Sequence, residues 1–392
     1  MPLSPAAARR GVDVSLALDV LRGLAAISMV VNHVAVQLLA RADFHGAAAL
    51  ATFAASGAPV LFFFATGFAG ALRRPGGSAW GRLDTVACLV AADLLAAWRG
   101  HLPWLLDFFT FIALSTLAVD LLARQRRAVA LALGAALVLA LLRFGLAPLA
   151  LPWSERIPPL AWVLGFPGVE RVSYPLTPWL CYPLLGFVLG RWCATRREPP
   201  SVPRALAAFA AGSLAALALG RLALHLGLSD NRWTTMGAAY FVLSFAMIGV
   251  ALWVAVAAAA AARPLAAALS LRGVSAYAVV PIHFLLIQAA HEGRFDGLPP
   301  AGFALAAASI ALAALVLAKG FAALLGRAHA AGPTTLRAAA GALLLACALG
   351  LWALPAVHRL AFESQALVTL GQLALGAWLL RAPRRRPAVA VA

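Results

Sequence analysis

The fold class predicted by this sequence is all-α: a polytopic integral membrane bundle of about twelve (10–12) transmembrane helices. Three observations carry that prediction. The chain of 392 residues is 63% hydrophobic and 11% charged, with a mean hydropathy of +0.90, whereas ordinary soluble domains run about 25% charged. Its apolar runs follow one another with short polar joints, each near the length a bilayer requires. Its basic residues collect in short clusters at alternate joints, the pattern of loops held against an anionic leaflet.

Taken in order, the expected spans are 16–40, 47–72, 83–98, 103–123, 128–147, 174–192, 206–226, 236–260, 274–290, 301–325, 337–354 and 366–380. The first follows Arg9 and Arg10 but is too long for a signal core and contains Asp19 and Arg22, so it reads as a retained span. With the N-terminus inside, the inner joints hold Arg73, Arg74 and Arg82; Arg124, Arg126 and Arg127; Arg191, Arg196, Arg197 and Arg204; Arg263 and Arg272; Arg327 and Arg337; and Arg384, Arg385 and Arg386. The outer joints hold isolated residues: Arg41, Arg99, Arg156, Arg171, Arg232, Arg294 and Arg359. This alternation places both termini in the cytoplasm. It divides the chain into a cytoplasmic tail at 1–15, one transmembrane domain at 16–381 and a basic cytoplasmic tail at 382–392. The outer segment 148–173 is rich in Pro and Trp and reads as an interfacial re-entrant loop, a lid or an acceptor platform.

The formal charge of +17 does not indicate nucleic-acid binding, because the arginines are dispersed between apolar runs. Lys319 is the single lysine and is expected to snorkel toward the inner surface. Cys88, Cys181, Cys193 and Cys347 show neither metal spacing nor a disulfide framework and read as small buried hydrophobes. No metal site is expected, and no HExxH, phosphate-binding glycine loop or Gly-x-Ser-x-Gly is present.

Chemistry is therefore sought among polar residues inside the spans, where an ionisable side chain costs at least about 2.5 kcal/mol and faces the protein interior or a wet cavity. The first span carries Asp19, Arg22, Asn32 and His33. Arg22 and His33 stand eleven residues apart, which returns them to nearly one helix face about 16 Å apart along the axis. A neutral imidazole in a cavity can take a proton. Arg22 stays charged and needs a partner, for which Asp19 is nearest in sequence. His283 follows Pro281 by two residues, where a kinked helix opens a cavity, and Tyr277 need not share its wall. Asp93, inside the third span, needs a partner or a proton. Asp84, Asp107 and Asp120 sit at span ends and are assigned no role.

These segments resemble known families. LDVLRGLAAISMVVNH, at 18–33, resembles the opening helix of the acyltransferase-3 family, an Asp-Gly-Leu-Arg-Gly-type segment with a histidine eleven residues after the arginine; Arg22 and His33 match that pair. APVLFFFATGF, at 58–68, resembles that family's Phe-Phe-x-x-Ser-Gly-Phe segment, with Thr66 in place of serine. SAYAVVPIHFLLI, at 275–287, resembles its late Ser-x-x-x-Tyr-x-x-x-x-x-His helix, with His283 at the histidine. YPLTPWLCYPLLGFVLGR, at 174–191, is more similar to the related heparan-α-glucosaminide N-acetyltransferase catalytic family, and Leu-Asp-Val-Leu at 18–21 is also closer to that branch.

The resemblance implies a membrane enzyme of the plasma (inner) membrane that moves an acyl group, usually acetyl, from cytoplasmic acyl-CoA to a carbohydrate or glycolipid acceptor of the cell envelope. His33 would be the general base or a transient acyl carrier, and Arg22 would fix the donor or stabilise developing charge. His283, Asp19, Asn32 and Asp93 are secondary candidates. Arg73, Arg74 and Arg272 would hold the phosphates of CoA, a donor substrate and not a resident cofactor. The implied partners are the bilayer, acyl-CoA and the acceptor, with a homodimer left open. Two readings of other classes remain at this point: a proton-coupled secondary transporter using His33, Arg22 and Asp93, and a non-catalytic membrane protein of envelope assembly.

Overall fold

The structure, a computed structural model, describes residues 11–40, 43, 45–73, 79–99, 107–146, 163–164, 173–196, 200–227, 236–293, 295–354 and 362–380. The two tails beyond residues 11–380, Arg74, and most of the 148–173 segment lie outside the described residues. Among the described residues these α-helices follow one another: α1 Val14–Leu38, α2 Gly46–Ala55, α3 Ala58–Leu72, α4 Ala79–Arg99, α5 Phe108–Ala123, α6 Ala128–Leu141, α7 Leu176–Trp179, α8 Cys181–Thr195, α9 Val202–His225, α10 Ala238–Ala261, α11 Arg263–Leu269, α12 Val274–Glu292, α13 Pro300–Ala331, α14 Pro333–Ala353 and α15 Phe362–Leu379. A π-helical turn, Leu142–Leu146, extends α6.

Eight helical stretches among the described residues are long and apolar enough to cross a membrane. Four expected spans, 83–98, 103–123, 174–192 and 366–380, are not among them. They fall short in length or carry polar residues, and residues 103–106 of the second lie outside the described residues. Two of them, α5 and α8, have 16 and 15 residues. Polar side chains interrupt the other two: Asp93 in α4, and Gln365, Thr369 and Gln372 in α15, all buried. The expected span 47–72 is two helices. Ser56 and Gly57 break it, Pro59 opens α3, and the Ser56 hydroxyl donates to the Phe53 carbonyl at 2.6 Å. The expected span 174–192 is likewise divided, into α7 and α8, amid Pro175, Pro178 and Pro183.

Helix α1 is the hub. Asp13 caps it by accepting the Leu16 N–H at 3.1 Å, and it packs against α2, α3, α10, α11, α12 and α13. Gly23 lies against the Leu269 carbonyl, where a Cβ has no room, so α11 lies directly across α1. The Leu271 N–H then donates to the Asp19 carbonyl at 2.9 Å. The tightest seam joins α3 to α8. Gly67 faces the backbone of Pro183 and Gly186 faces the backbone of Phe64, the close approach that small residues permit between membrane helices. That seam explains both the Thr-Gly-Phe and the Leu-Leu-Gly-x-x-x-Gly segments as packing. By contrast α6, α9 and α14 stand outside, with only 17%, 22% and 17% of their apolar windows buried against the protein.

The cysteines are free: Cys88, Cys181 and Cys347 are buried, while Cys193 is half-exposed, so burial does not extend to all four. Lys319 donates to the carbonyls of Ala267 and Ala268 at the C-terminal end of α11. It is held by the negative end of a helix and is not simply reaching for water.

Candidate active site

Along α1 the polar residues separate into two groups. Near its start, Arg22 donates to Asp19 at 2.7 Å, with side chains 19% and 14% exposed. Arg272, at the opening of α12, is within electrostatic reach of the same carboxylate. Near its far end, Asn32 and His33 line a cavity of about 340 Å³. The structure does not bring Arg22 to His33; Arg22 is not among the residues lining that cavity.

Six further regions line the cavity. The α2–α3 break contributes Ser56 and Pro59. Helix α4 contributes Asp93, and the start of α5 contributes Asp107, Phe108 and Phe109. Tyr174 follows, then Phe284 from α12, and Gln365 and Gln372 from α15. Asn32 donates to the Thr52 carbonyl at 3.4 Å. Asp93 accepts the N–H groups of Phe109 at 3.3 Å and Thr110 at 2.5 Å, and Asp107 accepts that of Phe108 at 2.8 Å. Both carboxylates therefore sit on the N-terminus of α5, where free N–H groups and the helix dipole favour negative charge. Gln372 donates to the Ala92 carbonyl at 2.9 Å and accepts from the Tyr277 hydroxyl through its own carbonyl at 2.6 Å. Tyr277 is not among the residues lining the cavity.

His33 meets His283 there. His33 Nδ1 lies 2.8 Å from His283 Nε2, and His283 Nδ1 lies 3.1 Å from the Val279 carbonyl oxygen. The Phe284 ring covers both imidazoles, at centroid distances of 4.7 and 4.2 Å. His33 lines the cavity while His283, 0% exposed, stands behind it.

A second cavity, of about 790 Å³, opens at the other end of α1. Apolar residues of α1, α8, α9 and α10 form its walls, and Trp192, Cys193, Arg196 and Arg204 add its polar and aromatic margin. The Arg196 guanidinium lies 3.9 Å from the centre of the Trp192 ring. Arg73 lies elsewhere, beside Asp120 and Thr66 in a cleft of about 30 Å³ between α3 and α5.

Sequence reasoning thus missed Asp107, Tyr174, Phe284, Gln365 and Gln372 as cavity residues. Asp107 carried a signal, since an Asp before Phe-Phe-Thr is a helix-capping residue aimed at an N-terminus. The two glutamines carried none that period or motif could reveal. Among the described residues no group of three His, Cys, Asp or Glu converges as a metal site.

The arrangement joins an imidazole, carboxylates, amides and aromatic faces around one cavity. Such a lining suits a polyhydroxylated molecule, whose hydroxyls need fixed partners and whose apolar faces stack on rings. A family model described as heparan-alpha-glucosaminide N-acetyltransferase, catalytic, matches residues 15–229, more than half of the chain. No curated protein and no solved structure matches it.

Proposed function

Because the chain belongs to the heparan-alpha-glucosaminide N-acetyltransferase catalytic family, we propose that it transfers an acyl group, acetyl first, from acyl-CoA to a hydroxyl or amine of a carbohydrate or glycolipid of the cell envelope. In this reading it lies in the plasma (inner) membrane with about twelve helices in the bundle and both termini cytoplasmic, as the arginine alternation argues. The observation that carries the proposal is His33, an imidazole on the wall of a cavity that also holds Asn32, Asp93, Asp107, Gln365 and Gln372.

His33 takes the proton of the acceptor hydroxyl or amine. The freed oxygen, or the amine nitrogen through its lone pair as it gives up its proton, attacks the thioester carbonyl, the carbon–sulfur bond breaks, and the imidazolium returns its proton to the departing sulfur. The alternative, with His33 as acyl carrier, requires an acyl-imidazole before the acceptor arrives. Donor and acceptor enter from opposite ends. The cavity beside Arg196 and Arg204 offers an apolar space edged with cations, suited to a nucleotide phosphate with a long arm. By the arginine alternation Arg73 and Arg272 also belong to the inner side, while Arg74 lies outside the described residues. Arg22, held by Asp19, retains N–H donors for the donor's phosphate or thioester oxygen. The roughly 16 Å from Arg22 to His33 is then covered by the donor's flexible arm.

The test is transfer from radiolabelled acetyl-CoA by purified protein in lipid nanodiscs, with a panel of amino sugars and neutral sugars. Transfer is expected, and His33→Ala is expected to lose 10²- to 10⁴-fold, the usual contribution of a general base. Retention of more than about a tenth of the activity would remove the base from the mechanism, and absence of both transfer and acyl-CoA binding would refute the proposal.

A further inference from the structure

The bonding around His283 determines which nitrogen of His33 can act. The chain of reasoning starts at Val279, whose carbonyl oxygen has no proton to give. The 3.1 Å contact between that oxygen and His283 Nδ1 is a hydrogen bond only if Nδ1 carries the proton. A neutral imidazole carries one N–H, so Nε2 of His283 is then a lone pair. The 2.8 Å contact from His283 Nε2 to His33 Nδ1 therefore needs its proton from His33. With Nδ1 protonated, a neutral His33 keeps its lone pair on Nε2, the nitrogen left to the cavity. Burial favours the arrangement: His283 is 0% exposed, and any other tautomer would leave one of its ring nitrogens buried without a hydrogen bond.

We propose that His283 is a positioning residue that holds His33 in the Nδ1–H tautomer, through a relay that begins at the Val279 carbonyl and ends at His33 Nε2. This rests on the reading of His33 as the base. When Nε2 takes the acceptor's proton, the resulting imidazolium still donates its Nδ1–H to a neutral His283, so the charge meets a lone pair and not a second cation. The Phe284 ring, packed on both imidazoles, limits their rotation. His283 lies beyond residue 229, where the family match ends, so the relay is not supplied by the matched segment.

The experiment combines substitution with nitrogen spectroscopy. His283→Phe removes the acceptor for His33 Nδ1. It is expected to lower kcat about 10²-fold or more, since a mis-set tautomer disables a histidine base, with the acceptor KM within about threefold. His283→Gln can present a side-chain oxygen to the same N–H and is expected to recover at least about tenfold of that loss. Nitrogen-15 spectra of histidine-labelled wild-type protein, assigned by the signals lost in His33→Gln and His283→Gln, should show Nδ1 of His33 protonated and Nε2 bare. Protonation of His33 at Nε2, or His283→Phe with wild-type kcat, would overturn the relay. The wild-type spectrum, assigned with the two glutamine variants, decides the matter even where His283→Phe does not fold. Failure of the base reading is distinguishable: there His33→Ala stays active, whereas an inactive His33→Ala beside a fully active His283→Phe defeats only the relay.

Discussion

Removing Asp19 without Arg22 should damage the protein more than removing both. At 2.7 Å and an effective dielectric of about 20, the pair attracts by about 6 kcal/mol. Withdrawing two ions from water costs several kcal/mol each, so the intact pair contributes little net stability. Asp19→Asn alone leaves a largely enclosed guanidinium uncompensated, with Arg272 in electrostatic reach. The expected cost is about 3–5 kcal/mol. The double variant Asp19→Asn/Arg22→Gln leaves no orphan charge and should melt close to the wild type. Thermal unfolding of purified protein in one detergent reads both. Acetyl transfer by the same samples then separates structure from function: the double variant is expected to be folded and inactive. Wild-type melting of Asp19→Asn would refute the argument that the pair holds a buried cation. Wild-type turnover by the double variant would show that Arg22 has no part in transfer.

Three further outcomes are expected. Gly67→Val and Gly186→Val should each cost about 1–3 kcal/mol, read as lowered thermal midpoints, because a Cβ at either position meets the backbone of the facing helix; Gly134→Ala, with open space around it, should be neutral or slightly stabilising. Reporter fusions at Ala392 and within residues 148–173 should report opposite compartments, and a shared compartment would break the proposed topology. Acyl-CoA binding should weaken as salt rises, since charges at an exposed mouth are screened, and should weaken in Arg196→Ala/Arg204→Ala; binding indifferent to that pair but lost in Arg73→Ala/Arg74→Ala/Arg272→Ala would move the donor away from the larger cavity.

Helices were legible in the sequence because lipid forces an apolar exterior, and α1, α10 and α12 begin within about two residues of their expected positions. Four expected spans were legible as apolar runs but do not qualify by length and composition among the described residues: α5 and α8 are short, and α4 and α15 carry polar side chains. The break at Ser56 and Gly57 was hidden: both flanking segments are apolar, and one Pro in an apolar run is compatible with a kink as well as a stop. Within the site, His33 stood out because an imidazole in an apolar span has no cheap explanation. Its approach to His283 could not be read, since the two stand 250 residues apart and only packing of α1 against α12 joins them. Reasoning from span ends, where carboxylates are ordinarily solvated, did not place Asp107 on the cavity wall. Here the end of α5 turns into the cavity.

The division of the site between matched and unmatched sequence has a mechanical consequence. Residues 15–229 supply His33, Asn32, Asp93, Asp107 and Tyr174, while Phe284, Gln365 and Gln372 come from beyond the match. Helices α12 and α15 pack on each other, and α15 packs on α4. The Thr369 hydroxyl donates to the Pro281 carbonyl at 3.3 Å, and Gln372 reaches the Ala92 carbonyl one residue before Asp93. A displacement of α15 would therefore act on both the helix bearing His283 and the helix bearing Asp93. An isolated 15–229 segment would keep the proposed base and lose the partner of its Nδ1 nitrogen, together with one wall of the acceptor cavity. The matched segment thus supplies only part of the cavity lining, and the proposed chemistry would need the whole bundle.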